Sequence, residues 1–144
     1  MLFRSLLTTG RILSHYNVGA QTRRTANTVW HPEDLLEMHP TDAENRGLKS
    51  GDWTRLASRT GETTLRVTVT DRVAPGVVYT TFHHPATQAN VVTTEFSDWA
   101  TNCPEYKVTA VQVMPSNGPS GWQEEYEELS TRSRRIEGRM EPAE

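Results

Sequence analysis

Residues 63–70 alternate without a break: Leu65, Val67 and Val69 fall on one side, Thr64, Arg66, Thr68 and Thr70 on the other. A two-residue period of this kind is a strand with one buried face. Turn signals crowd around it. Lys49-Ser50-Gly51-Asp52 and Arg59-Thr60-Gly61-Glu62 precede it, and Ala74-Pro75-Gly76 follows. Only short strands fit between such turns, at 53–57, 63–70 and 77–82. Apolar stretches at 2–7, 35–39 and 107–113 have the same character. Short strands at close spacing make a small barrel the expected fold, mainly β.

Helical signals are few. Thr41-Asp42-Ala43-Glu44 has the capping-box spacing, and Gly47 supplies a left-handed stop, which predicts a helix of one to two turns. Trp30-His31-Pro32 breaks structure, since proline holds its predecessor extended. Residues 21–28 are polar and read as a loop. After Pro115 the composition changes: 116–121 is linker-like, and beyond it Trp122, Tyr126, Leu129 and Ile136 recur at helical spacing among Glu and Arg. The expected organisation is therefore a barrel over 1–115 and a linker with an amphipathic C-terminal surface helix or tail over 116–144. That segment is expected to pack on the barrel or on the rest of a larger protein, with disorder as the remaining alternative.

At 144 residues the chain is one domain in size. Its net charge of −3 argues against nucleic acid as a partner. The charge is uneven, however. Residues 1–30 hold Arg4, Arg11, Arg23 and Arg24 and no acid, while the first acid is Glu33. Positive charge is concentrated where an anion would use it. No stretch is long enough to span a bilayer, so no membrane insertion is expected. The acid-free, Arg-, Ser- and Thr-rich start also looks like a mitochondrial presequence, but a disposable leader has no use for the turn described next. Cys103 is the single cysteine, which rules out an intrachain disulfide and leaves no Cys-x-x-Cys for zinc or an iron–sulfur cluster.

Two clusters carry chemistry. Thr8-Thr9-Gly10-Arg11 ends the first apolar run. A strand that stops at Thr-Thr-Gly presents backbone N–H groups where its ladder ends, a concavity suited to phosphate oxygens. The Thr8 and Thr9 hydroxyls and the Arg11 fork add donors. Spacing alone equally allows a tight turn with Arg11 on a surface ion pair. The second cluster runs from Phe82-His83-His84-Pro85 through Asn90 to Cys103-Pro104-Glu105-Tyr106-Lys107. An Asn amide both donates and accepts, as the edge of a polar heterocycle requires, and Lys107 is a point charge. Adjacent His83 and His84 point apart and have no third ligand at standard spacing, so no metal site is expected.

The stretch Leu7-Thr8-Thr9-Gly10-Arg11-Ile12-Leu13-Ser14-His15 with Thr22-Arg23-Arg24 resembles the opening of the C-terminal molybdopterin-dinucleotide-binding domain of molybdenum and tungsten oxidoreductases. Asn90-Val91-Val92-Thr93 through Pro104-Glu105-Tyr106-Lys107 resembles its closing segment, and the resemblance covers roughly residues 4–113. Thr80-Thr81-Phe82-His83-His84-Pro85 and Glu105-Tyr106-Lys107 look most like the formate dehydrogenase large (alpha) subunit.

The resemblance implies a six-stranded double-psi β-barrel that binds molybdopterin guanine dinucleotide. It implies Thr8, Thr9, Gly10, Arg11, His15, Thr22, Arg23, Phe82, Asn90, Tyr106 and Lys107 as cofactor-binding residues, with His15 donating to a pterin or phosphate oxygen. It places the molybdenum or tungsten ligand and the catalytic residues in other domains, so no catalytic residue is expected here. Implied partners are the remaining domains of the large subunit and iron–sulfur and NAD or flavin subunits. The expected whole enzyme is cytoplasmic, oxidises formate to CO2 and is NAD-linked. The alternative is a free-standing barrel that acts as a binding or adaptor module without redox chemistry.

Overall fold

The computed structural model describes residues 4–136. Six strands close into a barrel: β1 (Ser5–Gly10), β2 (Leu35–Met38), β3 (Trp53–Ala57), β4 (Glu62–Val69), β5 (Val77–Thr81) and β6 (Thr109–Pro115). Their order around the barrel is β1-β5-β2-β4-β3-β6. Pairs β1–β5 and β2–β4 run parallel, and the other four contacts are antiparallel. This is the closed mixed six-stranded barrel that the resemblance implies. Closure leaves no edge strand.

Inward-facing apolar side chains fill the barrel. Leu7, Leu36, Met38, Leu56, Val78, Val92 and Val111 are completely buried, with Leu65 and Val67 close behind. Leu65 and Val67 lie on the face their alternation predicts. The opposite face of β4 departs from expectation at Thr64, which is also buried. The cause is cover from outside the barrel, where Thr64 meets Gln123 of the C-terminal helix. Thr63, on the same face as Leu65, is buried too and donates to the Thr87 carbonyl.

Three departures from the reading of the sequence bear on the site and its surroundings. First, β1 extends through Gly10 rather than stopping at Leu7, because Thr8, Thr9 and Gly10 are registered against Tyr79, Thr80 and Thr81 of β5; Leu2 and Phe3, at the start of the expected strand, lie outside the described residues. Second, the short helix α1 is Pro40–Glu44, and its N-cap is His39, whose Nδ1 accepts from the Thr41 amide at 3.2 Å. Proline at the first helical position fixes that earlier start. Gly47 does end the element in a left-handed conformation, φ 65°.

Third, the face of helix α2 (Gly121–Ile136) that meets the barrel is not the apolar one. Gln123 is the buried residue. Its amide donates to the Thr64 carbonyl at 2.9 Å, and its Oε1 accepts from the Thr64 hydroxyl and the Ser120 amide. Trp122 and Leu129 stay exposed, with Trp122 stacked on Tyr126 at 5.3 Å. No described helix is long and apolar enough to cross a membrane.

Candidate binding site at the barrel rim

The strand register gathers six chain ends at one rim: the C-terminal ends of β1, β3 and β5 and the N-terminal ends of β2, β4 and β6. Arg11 leaves β1 there, Phe82-His83-His84 leave β5, Asp34 enters β2, and Tyr106-Lys107 approach β6. Residues about seventy and a hundred positions apart are thereby brought side by side.

One group forms over β1. The Thr9 hydroxyl donates to the Tyr106 carbonyl at 2.7 Å, and the Lys107 ammonium donates back to the Thr9 carbonyl. The Arg11 guanidinium lies 5.5 Å from the Phe82 ring centre, a cation–π distance. It makes no ion pair or hydrogen bond among the described residues, so its five N–H donors are unused. Lys107 retains two of its three donors and sits 5.9 Å from the Tyr106 ring centre.

Gly10 is required here for space rather than for an unusual φ. A Cβ at this position would lie 2.5 Å from the Tyr79 hydroxyl oxygen. Tyr79 closes over the end of β1 and donates to the Arg11 carbonyl at 3.3 Å. Burial, and then the Glu37 carboxylate, push the Tyr79 hydroxyl above its ordinary value, so it remains a donor at neutral pH.

Thr8 and Thr9 pair with β5, but the ladder to β6 ends at Leu7, so β1 is open on that side beyond it, where Tyr106 and Lys107 meet Thr9. The first free backbone beyond the strand is caught by a side chain. The Ile12 amide donates to His83 Nε2 at 3.2 Å.

A second group lies in the loop after β1. His15 is buried, and both its ring nitrogens are engaged: Nδ1 with the Thr22 hydroxyl at 3.0 Å and Nε2 with the His31 carbonyl at 2.9 Å. Thr22 also accepts from the Tyr16 amide. His15 and Thr22 therefore bind each other and the loop, and neither His15 nitrogen is available to a ligand. This corrects the expectation that His15 donates outward. Arg23 bonds the Val18 carbonyl through Nε at 3.3 Å, leaving its terminal nitrogens unused.

Beneath both groups is a buried carboxylate that the sequence did not single out. Asp34 accepts from the Thr81 hydroxyl, from the His83 amide at 3.1 Å, and from the His84 amide and His84 Nδ1 at 2.9 and 3.1 Å. Burial pushes its carboxyl upward, but the bonds from His84 and Thr81 outweigh this and hold it below the ordinary aspartate value. Asp34 thereby fixes the exit of β5, and with it Phe82 and His83. The three histidine rings pack together, His15 lying 5.7 Å from His83 and 5.2 Å from His84.

Asn90 stands apart. It lies in a short 3-10 turn, Ala89–Val92, packed on the hairpin between β3 and β4. It occupies the same rim as Gly10, but β4 is opposite β1 in the ring of strands. Its side chain is exposed and unbonded. A cleft of 1490 Å³ lies to one side of the rim, between the 23–34 loop, β4 and α2; Arg23, Asp34, His84 and Gln123 line it, and Gly10 and Lys107 do not. Among the described residues no group of three or more His, Cys, Asp or Glu side chains is placed to hold a metal ion.

Comparison with known proteins agrees with this geometry. A family model described as "Molydopterin dinucleotide binding domain" matches residues 6–110. The chain is 39% identical over 108 residues to the F420-dependent formate dehydrogenase 1 subunit alpha of Methanococcus maripaludis, covering 74% of this chain and 16% of that protein. It is 38% identical over 109 residues to the F420-dependent formate dehydrogenase subunit alpha of Methanocaldococcus jannaschii, covering 75% and 16%. The chain thus spans about a sixth of the length of the curated relatives it matches. Acetylene hydratase from Pelobacter acetylenicus has the same fold, with a TM-score of 0.67 at 14% identity over 79% of this chain and 18% of that one. The formate dehydrogenase relatives are named F420-dependent, so the NAD linkage expected from the sequence finds no support in them.

Proposed function

The chain belongs to the molybdopterin dinucleotide-binding domain family, and from that premise we propose that its barrel rim holds molybdopterin guanine dinucleotide within the alpha subunit of a formate dehydrogenase. The observation that carries the reading is the set of unused donors converging over β1: the Arg11 guanidinium on Phe82, and the Lys107 ammonium against Thr9. These residues fit an anionic dinucleotide. Arg11 offers a planar fork to phosphate oxygens and Lys107 a point charge. Across the rim, the free amide of Asn90 suits a heterocycle edge that both donates and accepts.

The site residues divide by role. Arg11, Lys107, Asn90 and the terminal nitrogens of Arg23 contact the ligand. Thr8, Thr9, Gly10, Phe82 and Tyr106 shape the surface beneath it. His15 and Thr22 hold the loop that carries Arg23. When bound, the cofactor supplies the redox chemistry through its metal. This chain supplies binding, orientation and positive charge. Partners in this reading are the rest of the alpha subunit and an iron–sulfur electron path, in the cytoplasm, where Cys103 would remain a thiol.

The test is Arg11→Ala in the full-length subunit. Each charge-assisted hydrogen bond contributes roughly 1.5–3 kcal/mol. Guanine nucleotide released on denaturing the purified variant should fall well below that of the parent, with the circular dichroism of the fold unchanged. Equal nucleotide content would refute the assignment.

A further inference from the structure

Helix α2 carries a second regularity that its docking on the barrel does not use. Trp122, Tyr126, Leu129, Ser133 and Ile136 follow one another at steps of four, three, four and three. Alternating steps of this kind are the seam of a coiled coil, with Tyr126 and Ser133 at the a positions and Trp122 and Leu129 at the d positions. A helix that only covers a core shows a wider stripe. The barrel takes another face of the helix, since Gln123 is the buried residue and holds Thr64. The seam stays largely uncovered: Trp122 is 42% exposed and Leu129 58%. Tyr126, which also borders the 1490 Å³ cleft, stacks on Trp122. The helix lies beyond residues 6–110, the span of the family domain, so the seam belongs to neither the barrel nor its rim.

Charges beside the seam select what fits it. Glu125 and Arg132 occupy successive g positions, which flank the a and d residues. Both are exposed, and neither has an ion-pair partner among the described residues. Two copies of α2 laid antiparallel, with a two-fold axis between Glu127 and Glu128, bring Glu125 of each beside Arg132 of the other. The same register sets Trp122 against Ser133 and Tyr126 against Leu129, a larger side chain facing a smaller one in each layer. Sliding one copy by a heptad sets Arg132 against Arg132. A parallel pair leaves Glu125 opposite Ser130. The helix dipole also favours acids first and bases last, but it acts all round the helix and does not put these two residues at the flank of the seam.

We infer that α2 is a self-association element, whose Trp122–Tyr126–Leu129–Ser133 seam binds the same seam of a second copy of this chain in an antiparallel pair closed by two Glu125–Arg132 ion pairs. A two-fold contact uses one patch twice and stops at a dimer. A helix of 16 residues holds little more than two heptads, so the dimer is reversible and not permanent. The inference is independent of the cofactor reading and stands whether or not the rim binds a dinucleotide.

The test is sedimentation velocity on the full-length protein that carries this chain, over concentrations from low micromolar to submillimolar. The parent should pass from monomer to dimer across the series, and added salt should shift it back toward monomer. Leu129→Glu removes one leucine from each copy and should raise the dissociation constant about a hundredfold, roughly tenfold for each side chain lost from the seam. Glu125→Arg and Arg132→Glu should each weaken the dimer about fivefold. Combining them restores opposite charges, and the double variant should return to within about twofold of the parent. Helix content by circular dichroism should match the parent in the charge variants, since both sites are exposed.

A parent that stays monomeric throughout the series, or a dimer indifferent to Leu129→Glu, would overturn the inference and mean that something other than a second seam covers this face. A double variant no tighter than the single ones would also overturn it, because the two charges would then not meet across an antiparallel pair. If Leu129→Glu loses helix content, the charge variants decide alone.

Discussion

Replacing Asp34 with alanine should be the most damaging single change in the rim. The side chain accepts four hydrogen bonds, from the Thr81 hydroxyl, the His83 and His84 amides and His84 Nδ1, and is itself wholly buried. Truncation leaves four donors without an acceptor. At roughly 1–3 kcal/mol each the face value is large. Water entering the vacated space recovers part of it, and single substitutions rarely exceed about 4–5 kcal/mol. We predict a loss of about 3–5 kcal/mol by urea denaturation followed by circular dichroism, and about half that for Asp34→Asn, which retains one acceptor oxygen.

The pH dependence has a definite sign. The folded-state value of Asp34 lies below the ordinary 3.8. Its contribution is therefore fully present above the unfolded value and is lost as pH falls through the folded one. The gap between parent and Asp34→Ala should be constant at neutral pH and shrink below about pH 4. A loss under about 1 kcal/mol, or a gap of the same size at acid and neutral pH, would refute the hub role.

Gly10→Ala should destabilise by about 1–3 kcal/mol through collision with Tyr79. The penalty should vanish in a Tyr79→Ala background, and a double-mutant cycle with no coupling would sink that explanation. Gln123→Ala removes the polar plug between α2 and Thr64. Amide exchange throughout α2 should accelerate by at least tenfold while β4 keeps its protection; unchanged exchange would mean that other contacts dock the helix.

What the sequence disclosed and what it concealed follow physical lines. The β4 alternation at Leu65 and Val67 and the Gly47 stop were legible because they depend on local period and local φ. The pairing of Thr9 with Tyr106 and Lys107 was reachable only through resemblance, since nothing local links residues so far apart. Asp34 was missed because one acid after Pro32-Glu33 looks like any surface acid. Only closure of β5 against β2 brings Thr81, His83 and His84 to it. His15 was read as outward-facing because a loop histidine after a glycine turn carries no sign that Thr22 and the His31 carbonyl will satisfy it. Helix α2 misled for the opposite reason: its apolar spacing was real, but the barrel wall opposite it presents Thr64, so a glutamine docks and Trp122 remains outside.

The most direct measurement is amide hydrogen exchange on the full-length subunit, loaded with cofactor and then stripped of it. One ligand lying across this rim predicts simultaneous protection of residues 10–12, 82–84, 90–92 and 106–108 in the loaded form. Protection confined to one of these stretches, or present in none of them, would contradict the account.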